Sequence, residues 1–273
     1  MPELMEWGLR GAAIPRQRAL RLRLTSVIGF LALWSLASGA VVVFKLFNPI
    51  FLPGPWLVVG DIVELAGKGQ LWTHLAATLY RVAIGFGAGA LLALGLGLPA
   101  GHIRAVRNLL EPVVELLRPI PPLAMLPLFI VWVGIGEGSK IGFITYATFF
   151  PMFLTTVHAV GQVDPLLLRA AQSLGARPRQ LFFRIILPAA LPEILTGIRL
   201  GVALSFFVIV ISEFIGAEHG LGYLINDGRN FFLVPQMLGA AVLLGLLGYV
   251  GNGLVRAIER RVTRWQHHDG AAA

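Results

Sequence analysis

Residues 82–101 read VAIGFGAGALLALGLGLPAG and contain no charged side chain. A bilayer core about 30 Å thick needs about 20 apolar residues of helix, so this segment has the length of one membrane crossing. A further segment, 194–215, is apolar apart from Arg199 and Glu213. The sequence therefore predicts an all-α integral membrane protein of about six transmembrane helices, the other four uncharged segments lying at 25–44, 119–136, 141–163 and 231–255.

Composition supports the same class. Hydrophobic residues make up 56% of the chain and charged residues only 13%, which would leave a soluble domain with apolar surface that it could not cover. The 32 glycines fit close packing of membrane helices, and the absence of cysteine excludes a disulfide scaffold. The net charge of +8 is dispersed between apolar blocks, which favours lipid headgroups over nucleic acid as the partner.

The distribution of arginine predicts the orientation, because cytoplasmic loops retain positive charge. Arginines cluster before the first span and after the second, fourth and last, whereas the intervening loops carry few. This pattern predicts a multi-pass protein with both termini in the cytoplasm. It divides the chain into an N-terminal segment (1–24), one transmembrane domain (25–264) and a tail (265–273). A cleaved signal peptide is an alternative for the first span, although the apolar run is long for one.

The predicted cytoplasmic segment between the fourth and fifth spans, 164–188, reads DPLLLRAAQSLGARPRQLFFRIILP. Asp164 followed by Pro165 is a typical helix start, and Gly175 can end that helix in a left-handed conformation. The segment is therefore predicted to form a short helix, a bend and a second short helix. Ala170 and Ala171 predict a small surface on which another protein can dock.

This segment also carries a resemblance to a known family. Ala170, Ala171 and Gly175, followed by IILP at 185–188, resemble the EAA loop of permeases of binding-protein-dependent ABC importers. Arg169 stands where that family usually has glutamate. Three flanking segments are similar to permeases of taurine, aliphatic-sulfonate and nitrate importers: LRPIPPLA at 117–124, WVGIGEGSK at 132–140 and LPEILTGIR at 191–199. Within that group, residues 169–175 and 256–265 resemble the taurine branch.

The resemblance implies a type I ABC importer permease fold (MetI-like) with a cytoplasmic coupling helix, in the bacterial inner membrane. It implies a homodimer, two cytoplasmic ABC ATPase subunits and a periplasmic substrate-binding protein. ATP and Mg would be bound by the ATPase and no cofactor by this chain, which lacks a phosphate-binding loop. The cargo implied is a small organic sulfonate such as taurine; nitrate, another small anion or a vitamin precursor stay open. The implied ATPase contacts are Arg169, Ala170, Ala171, Ser173, Leu174 and Gly175.

Arg199 and Glu213 are candidate residues of the translocation pathway, because a charge at membrane depth usually faces a cavity or a partner. They lie too far apart to pair, since fourteen residues of helix span about 21 Å. The alternative is an anchoring role for Arg199 and a structural or gating role for Glu213. Prolines at 119, 121 and 122 predict a break before the third span.

Other classes of function find less support. The histidines show no metal-ligand spacing, so no metal site is predicted, and His74 and His158 are expected to be buried and hydrogen-bonded. An ion-gradient-driven secondary transporter usually shows an internal repeat, and a membrane enzyme needs a catalytic constellation; neither pattern is evident.

Overall fold

The computed structural model describes residues 16–263, and every regular element in that range is helical. A π-helical turn, Phe182–Ile186, joins the helices Pro178–Leu181 and Leu187–Phe214 without a break. Most of the predicted N-terminal segment 1–24 and all of the tail 265–273 lie outside the described residues. The helices are α1 (Arg16–Phe44), α2 (Pro55–Gly67), α3 (Gln70–His102), α4 (Arg104–Leu117), α5 (Pro122–Val133), α6 (Glu137–Gly161), α7 (Pro165–Ser173), α8 (Pro178–Leu181), α9 (Leu187–Phe214), α10 (Leu221–Asn230) and α11 (Val234–Val262).

Five helices between residues 16 and 263 are long and apolar enough to cross a membrane. The pair α4 and α5 passes the same test together and is bent by 97°, which gives a sixth candidate crossing. About six spans were predicted, and this number agrees with the structure. The predicted third span, 119–136, is wrong in its limits, because only Pro122–Val133 within it is helical. The five single spans are Leu24–Phe44, Gln70–His102, Glu137–Gly161, Pro178–Phe214 and Val234–Val262.

The break between α4 and α5 has a local cause. Proline has no amide hydrogen, and a residue that precedes proline avoids the helical conformation, so the prolines at 119, 121 and 122 stop the helix. They also leave fewer backbone donors without a partner inside the membrane. Tyr146 of α6 donates its hydroxyl hydrogen to the carbonyl of Leu117 (3.3 Å), which holds the break against α6. The predicted break is confirmed.

Helix α6 lies at the centre of the bundle and packs between α3 and α9. Glycines on α3 allow the close approach, because a Cβ built on Gly85 would lie 2.7 Å from the Cβ of Ile144. Thr145 of α6 donates to the carbonyl of Gly85 (3.0 Å), a bond that only closely packed helices can form. Helix α1 is more peripheral and is held to the following turn by Trp34, whose indole N–H donates to the carbonyl of Pro53 (3.0 Å).

Replacing Gly85 by leucine is expected to lower stability by about 1–3 kcal/mol, because the larger side chain overpacks the contact with α6. Gly87 lies on the same helix, and a Cβ built on it would meet nothing within 4 Å, so Gly87→Leu is the matched control. The thermal midpoint of the purified protein in detergent measures both. Equal shifts for the two variants would contradict this account of the α3–α6 contact.

Candidate translocation pathway and coupling loop

A cavity of about 610 Å³ lies between α6, α9 and the break at 118–121. Its walls are mainly apolar and include Phe150 on α6 and Leu204 and Phe207 on α9. Arg118 is the only charged side chain among the described residues that line it. Tyr146, also in the wall, lies about 14 Å into α6, a helix about 37 Å long, so the break is near the middle of that helix.

A second cavity, of about 580 Å³, continues the groove toward the 164–188 loop. The two cavities share Thr155 and Leu200, so they form one groove along α6 and α9. Arg199 and Arg256 line the second cavity. The structure therefore places Arg199, a predicted pathway residue, at the loop end of this groove.

The charge of Arg199 is paired with Glu259 on α11, because its Nη2 donates a hydrogen bond to that carboxylate. Its Nε is buried and has no hydrogen-bond partner. Glu259 was not identified from the sequence, because it lies on another helix sixty residues further along the chain. Arg199 is thus anchored to α11 by its Nη2, while its Nε–H donates no hydrogen bond within the described part of the chain.

Glu213 lies at the opposite end of the bundle, in a closed ion-pair network with Arg81 of α3. Arg81 Nη1 lies 2.7 Å from Glu213 Oε1, and the side chain of Glu213 is completely buried. The same guanidinium donates two hydrogen bonds to Glu137 at the start of α6, each of 2.6 Å. Because a buried charge is costly unless it is paired, Arg81 compensates the charges of both Glu137 and Glu213.

The network extends to the turn between α9 and α10. Gly222 donates its N–H to Glu213 Oε2 (2.7 Å), and Leu221 donates to the hydroxyl of Thr78 (2.8 Å), which itself donates to Glu213 (2.9 Å). His74 Nδ1 accepts from the N–H of Gly220 (3.0 Å). The start of α6, the end of α9 and the start of α10 are therefore all tied to α3.

Arg81 and Thr78 were not identified from the sequence. Arg81 immediately precedes the uncharged segment 82–101, and a charge at that position is ordinary for the end of a span. Its true place is inside the 33-residue helix α3, eleven residues from its start, where it is 4% exposed. The prediction that His74 is buried is confirmed. The same prediction for His158 is wrong, because its side chain is 61% exposed and its Nδ1 lies 2.7 Å from Glu193 Oε1.

The 164–188 loop begins with the predicted short helix and bend. The predicted second short helix is wrong, because α8 continues through the π-helical turn into α9 as one helix, Pro178–Phe214. Asp164 accepts a hydrogen bond from the N–H of Leu166 (2.7 Å) and so caps α7. Gly175 has a left-handed φ of +79° and ends that helix. Ala176 donates to the carbonyl of Ala171 (3.0 Å) and Gly175 to that of Gln172 (2.9 Å), the pair of bonds typical of a glycine-terminated helix.

The two alanines of α7 do not share one docking surface, which corrects the prediction made from the sequence. Ala170 is exposed, whereas Ala171 is 8% exposed and belongs to a buried cluster with Val160 and Leu181. Neighbouring residues of a helix point about 100° apart, so the two side chains face different surroundings. The outward face instead carries Leu166, Ala170 and Leu174, spaced by four residues. Arg169 and Ser173 are also exposed.

Residues 85–264 match the family model of the binding-protein-dependent transport system inner membrane component. The chain belongs to this family. The permease is 38% identical to the taurine transport system permease protein TauC of Escherichia coli over 251 residues, which cover 90% of this chain and 91% of that protein. It is 36% identical to the putative aliphatic sulfonates transport permease protein SsuC of Bacillus subtilis over 237 residues, 87% of this chain and 84% of the other.

Solved structures show the same fold. A crystal structure of an amino acid ABC transporter with histidines superposes with a TM-score of 0.61 at 18% identity, covering 73% of this permease and 97% of that chain. An inward-facing structure of the MetNI methionine ABC transporter superposes with a TM-score of 0.54 at 24% identity, covering 76% and 97%. The permease thus has the type I ABC importer fold, as expected from the sequence.

Family membership settles the general role. The chain is a multi-pass inner membrane protein and a subunit of an ABC importer. It is not an enzyme, since its relatives are permease subunits and ATP hydrolysis belongs to a separate subunit. An importer of this kind works with an ATPase and with a substrate-binding protein.

Proposed function

We propose that this permease forms the membrane pathway for a small organic sulfonate such as taurine, delivered by a periplasmic binding protein. The observation that carries the proposal is similarity over nearly the whole chain to permeases named for taurine and for aliphatic sulfonates. The groove between α6 and α9 is compatible with it, because a cavity with apolar walls and arginines suits an anion that has an organic tail.

Uptake in proteoliposomes tests the cargo directly. The complete importer, with its ATPase and binding protein, is reconstituted with ATP available to the ATPase. We expect accumulation of labelled taurine or butanesulfonate that depends on both ATP and the binding protein. Accumulation of nitrate or of a vitamin precursor, with no accumulation of either sulfonate, would show that the proposed cargo is wrong.

The proposed assembly is a homodimer with two cytoplasmic ATPase subunits, embedded in lipid. One copy leaves the groove open on one side, where the side chains of Leu200 and Phe207 are exposed. A second copy placed against this face would close the groove into a pathway. The size of the purified complex in detergent, measured by light scattering, checks the number of permease copies.

The proposed coupling element is α7. Leu166, Ala170 and Leu174 form an exposed apolar stripe, and Leu174 is 89% exposed. A stripe of this kind fits a cleft on the ATPase subunit, which binds the ATP and Mg. Arg169 and Ser173 flank the stripe, while Ala171 and Gly175 hold the helix in place, the first by packing and the second by its left-handed conformation.

The two predicted pathway residues receive different roles in this proposal. Arg199 lies at the inner end of the groove, where its positive charge can attract an anion that leaves toward the cytoplasm. Glu213 belongs to the network at the outer end and is proposed to gate that end rather than to contact cargo, because its side chain is fully buried.

The proposed orientation places the 164–188 loop and both termini in the cytoplasm. Arg179 in the loop and Glu218 between α9 and α10 are both exposed and lie at opposite ends of the bundle. The chain has no native cysteine, so Arg179→Cys and Glu218→Cys are clean reporters. In cells that express the permease alone, an impermeant thiol reagent is expected to label only the cysteine at 218. Labelling only of the cysteine at 179 would show that the opposite topology is correct.

A further inference from the structure

Arg118 has features of a ligand-binding residue that are not evident from the sequence. Arg118 is one of the arginines after the second predicted span, whose positions predict the orientation. In the structure it lies at the break between α4 and α5, next to Tyr146 in the cavity wall and so near the middle of α6. It is exposed and is the only charged residue among the described residues that line the 610 Å³ cavity.

The guanidinium of Arg118 is available to a ligand. Among residues 16–263, the ion pairs formed by arginine involve Arg81 and Arg199, not Arg118. Glu111 and Glu115 line a smaller cavity of about 210 Å³ on the other side of Arg118 but do not pair with it. A charge at membrane depth without a partner is costly, and such residues usually mark a path for ions or substrates.

The rest of the cavity is suited to an apolar group. Leu123, Phe150 and Leu204 are part of its wall, and no carboxylate occurs among its described lining residues. The two hydroxyl groups in the wall are engaged, because Tyr146 donates to the carbonyl of Leu117 and Thr155 to that of Pro151 (2.9 Å). The cavity therefore offers one permanent cation and apolar surface, in a volume typical of sites for small molecules.

We propose that Arg118 binds the sulfonate group of the cargo during its passage, while the apolar walls hold the organic tail. This inference rests on the proposed function and adds to it the recognising residue and the chemical class that the membrane site selects. The site contacts the sulfonate and the tail but provides no carboxylate for the amino group of taurine. An alkanesulfonate with no amino group should therefore pass the site as readily as taurine does.

Transport by variants of Arg118 gives the first test. In proteoliposomes with the complete importer, Arg118→Gln is expected to reduce uptake of both taurine and butanesulfonate by about tenfold or more, the loss expected for one charge-assisted hydrogen bond. Arg118→Lys should retain part of the uptake. ATP hydrolysis stimulated by the loaded binding protein should persist in both variants, because Arg118 belongs neither to α7 nor to the ion-pair network of Arg81. Arg104→Gln, an exposed position at the other end of α4, is the control.

Cysteine modification provides a second readout that does not depend on transport. Ile120 lines the cavity two residues from Arg118, and Ile120→Cys would be the only thiol in the chain. The assembled complex in detergent is treated with the anionic reagent 2-sulfonatoethyl methanethiosulfonate or with its cationic trimethylammonioethyl analogue. The ratio of the anionic to the cationic reaction rate is expected to be about tenfold higher for this cysteine than for a free thiol in solution. Adding Arg118→Gln should abolish this preference for the anionic reagent, and adding Arg104→Gln should leave it unchanged.

The outcomes separate the inference from the proposed function. If the wild-type importer moves neither sulfonate, the proposed cargo is wrong and this inference falls with it. If the wild type transports sulfonates while Arg118→Gln retains normal uptake and the reagent preference, only the inference is overturned. If Arg118→Gln fails to assemble, the test is the reagent preference of Ile120→Cys with Arg118 intact. A preference for the anionic reagent supports an anion site at Arg118, and the absence of that preference overturns the inference.

Discussion

Replacing Arg81 by methionine is expected to lower the stability of the permease by about 3–5 kcal/mol and its thermal midpoint by about 10 °C. Methionine approximates the length of the arginine stem but removes both ion pairs. Glu213 would then be a fully buried carboxylate without its cation, retaining only the bonds from Thr78 and Gly222. Glu137 would suffer less, because half of its side chain is exposed and can be hydrated.

The variant Lys68→Met is the matched control, since it also removes one cation from an ion pair. Lys68 pairs with Glu64 in an i, i+4 arrangement in which both side chains are more than half exposed. An exposed pair of this kind contributes less than about 1 kcal/mol, so the thermal midpoint should barely move. Differential scanning fluorimetry in detergent measures both proteins.

A double variant tests the cause of the loss. If the cost arises from a buried unpaired charge, Arg81→Met combined with Glu213→Met should recover a large part of the lost stability, because no charge is then left uncompensated. A double variant less stable than Arg81→Met alone would show that the network contributes net stability beyond avoiding an unpaired carboxylate.

The adjacent alanines of α7 are expected to respond in opposite ways to the same substitution. Ala170→Glu places a charge on the exposed apolar stripe and should reduce transport by about tenfold or more through loss of ATPase docking, with an unchanged thermal midpoint. Ala171→Glu forces a carboxylate into the cluster formed with Val160 and Leu181 and should lower stability by about 2–4 kcal/mol.

The pair contains its own control, because the two variants carry the same charge at neighbouring positions. Uptake, stimulated ATP hydrolysis and co-purification of the ATPase subunit are measured for each, together with the thermal midpoint of the permease alone. Normal co-purification and uptake for Ala170→Glu would show that the exposed stripe is not the coupling surface. A stable permease carrying Ala171→Glu would contradict the buried position of that side chain.

The coupling loop illustrates how far local sequence patterns reach. The Asp164 cap, Pro165 at the first turn and Gly175 in the left-handed region were all predicted, because capping and turn chemistry act within a few residues. The direction of each side chain was not predicted. Leucines occupy 166, 167 and 168 in succession, so the apolar pattern of α7 does not distinguish the inward face, with Leu168 and Ala171, from the outward one.

The sequence by itself determined the class of protein, the approximate number of spans and the break before α5. A membrane helix satisfies its backbone hydrogen bonds within its own segment, so length, apolar composition and proline suffice to define it. Only the tertiary structure decided which side chains meet. Arg81 and Glu213 are 132 residues apart in the chain, and Arg199 and Glu259 sixty apart. Their pairing, like the place of Arg118 in a cavity, depends on how each helix is rotated against its neighbours, which the composition of a uniformly apolar span leaves open.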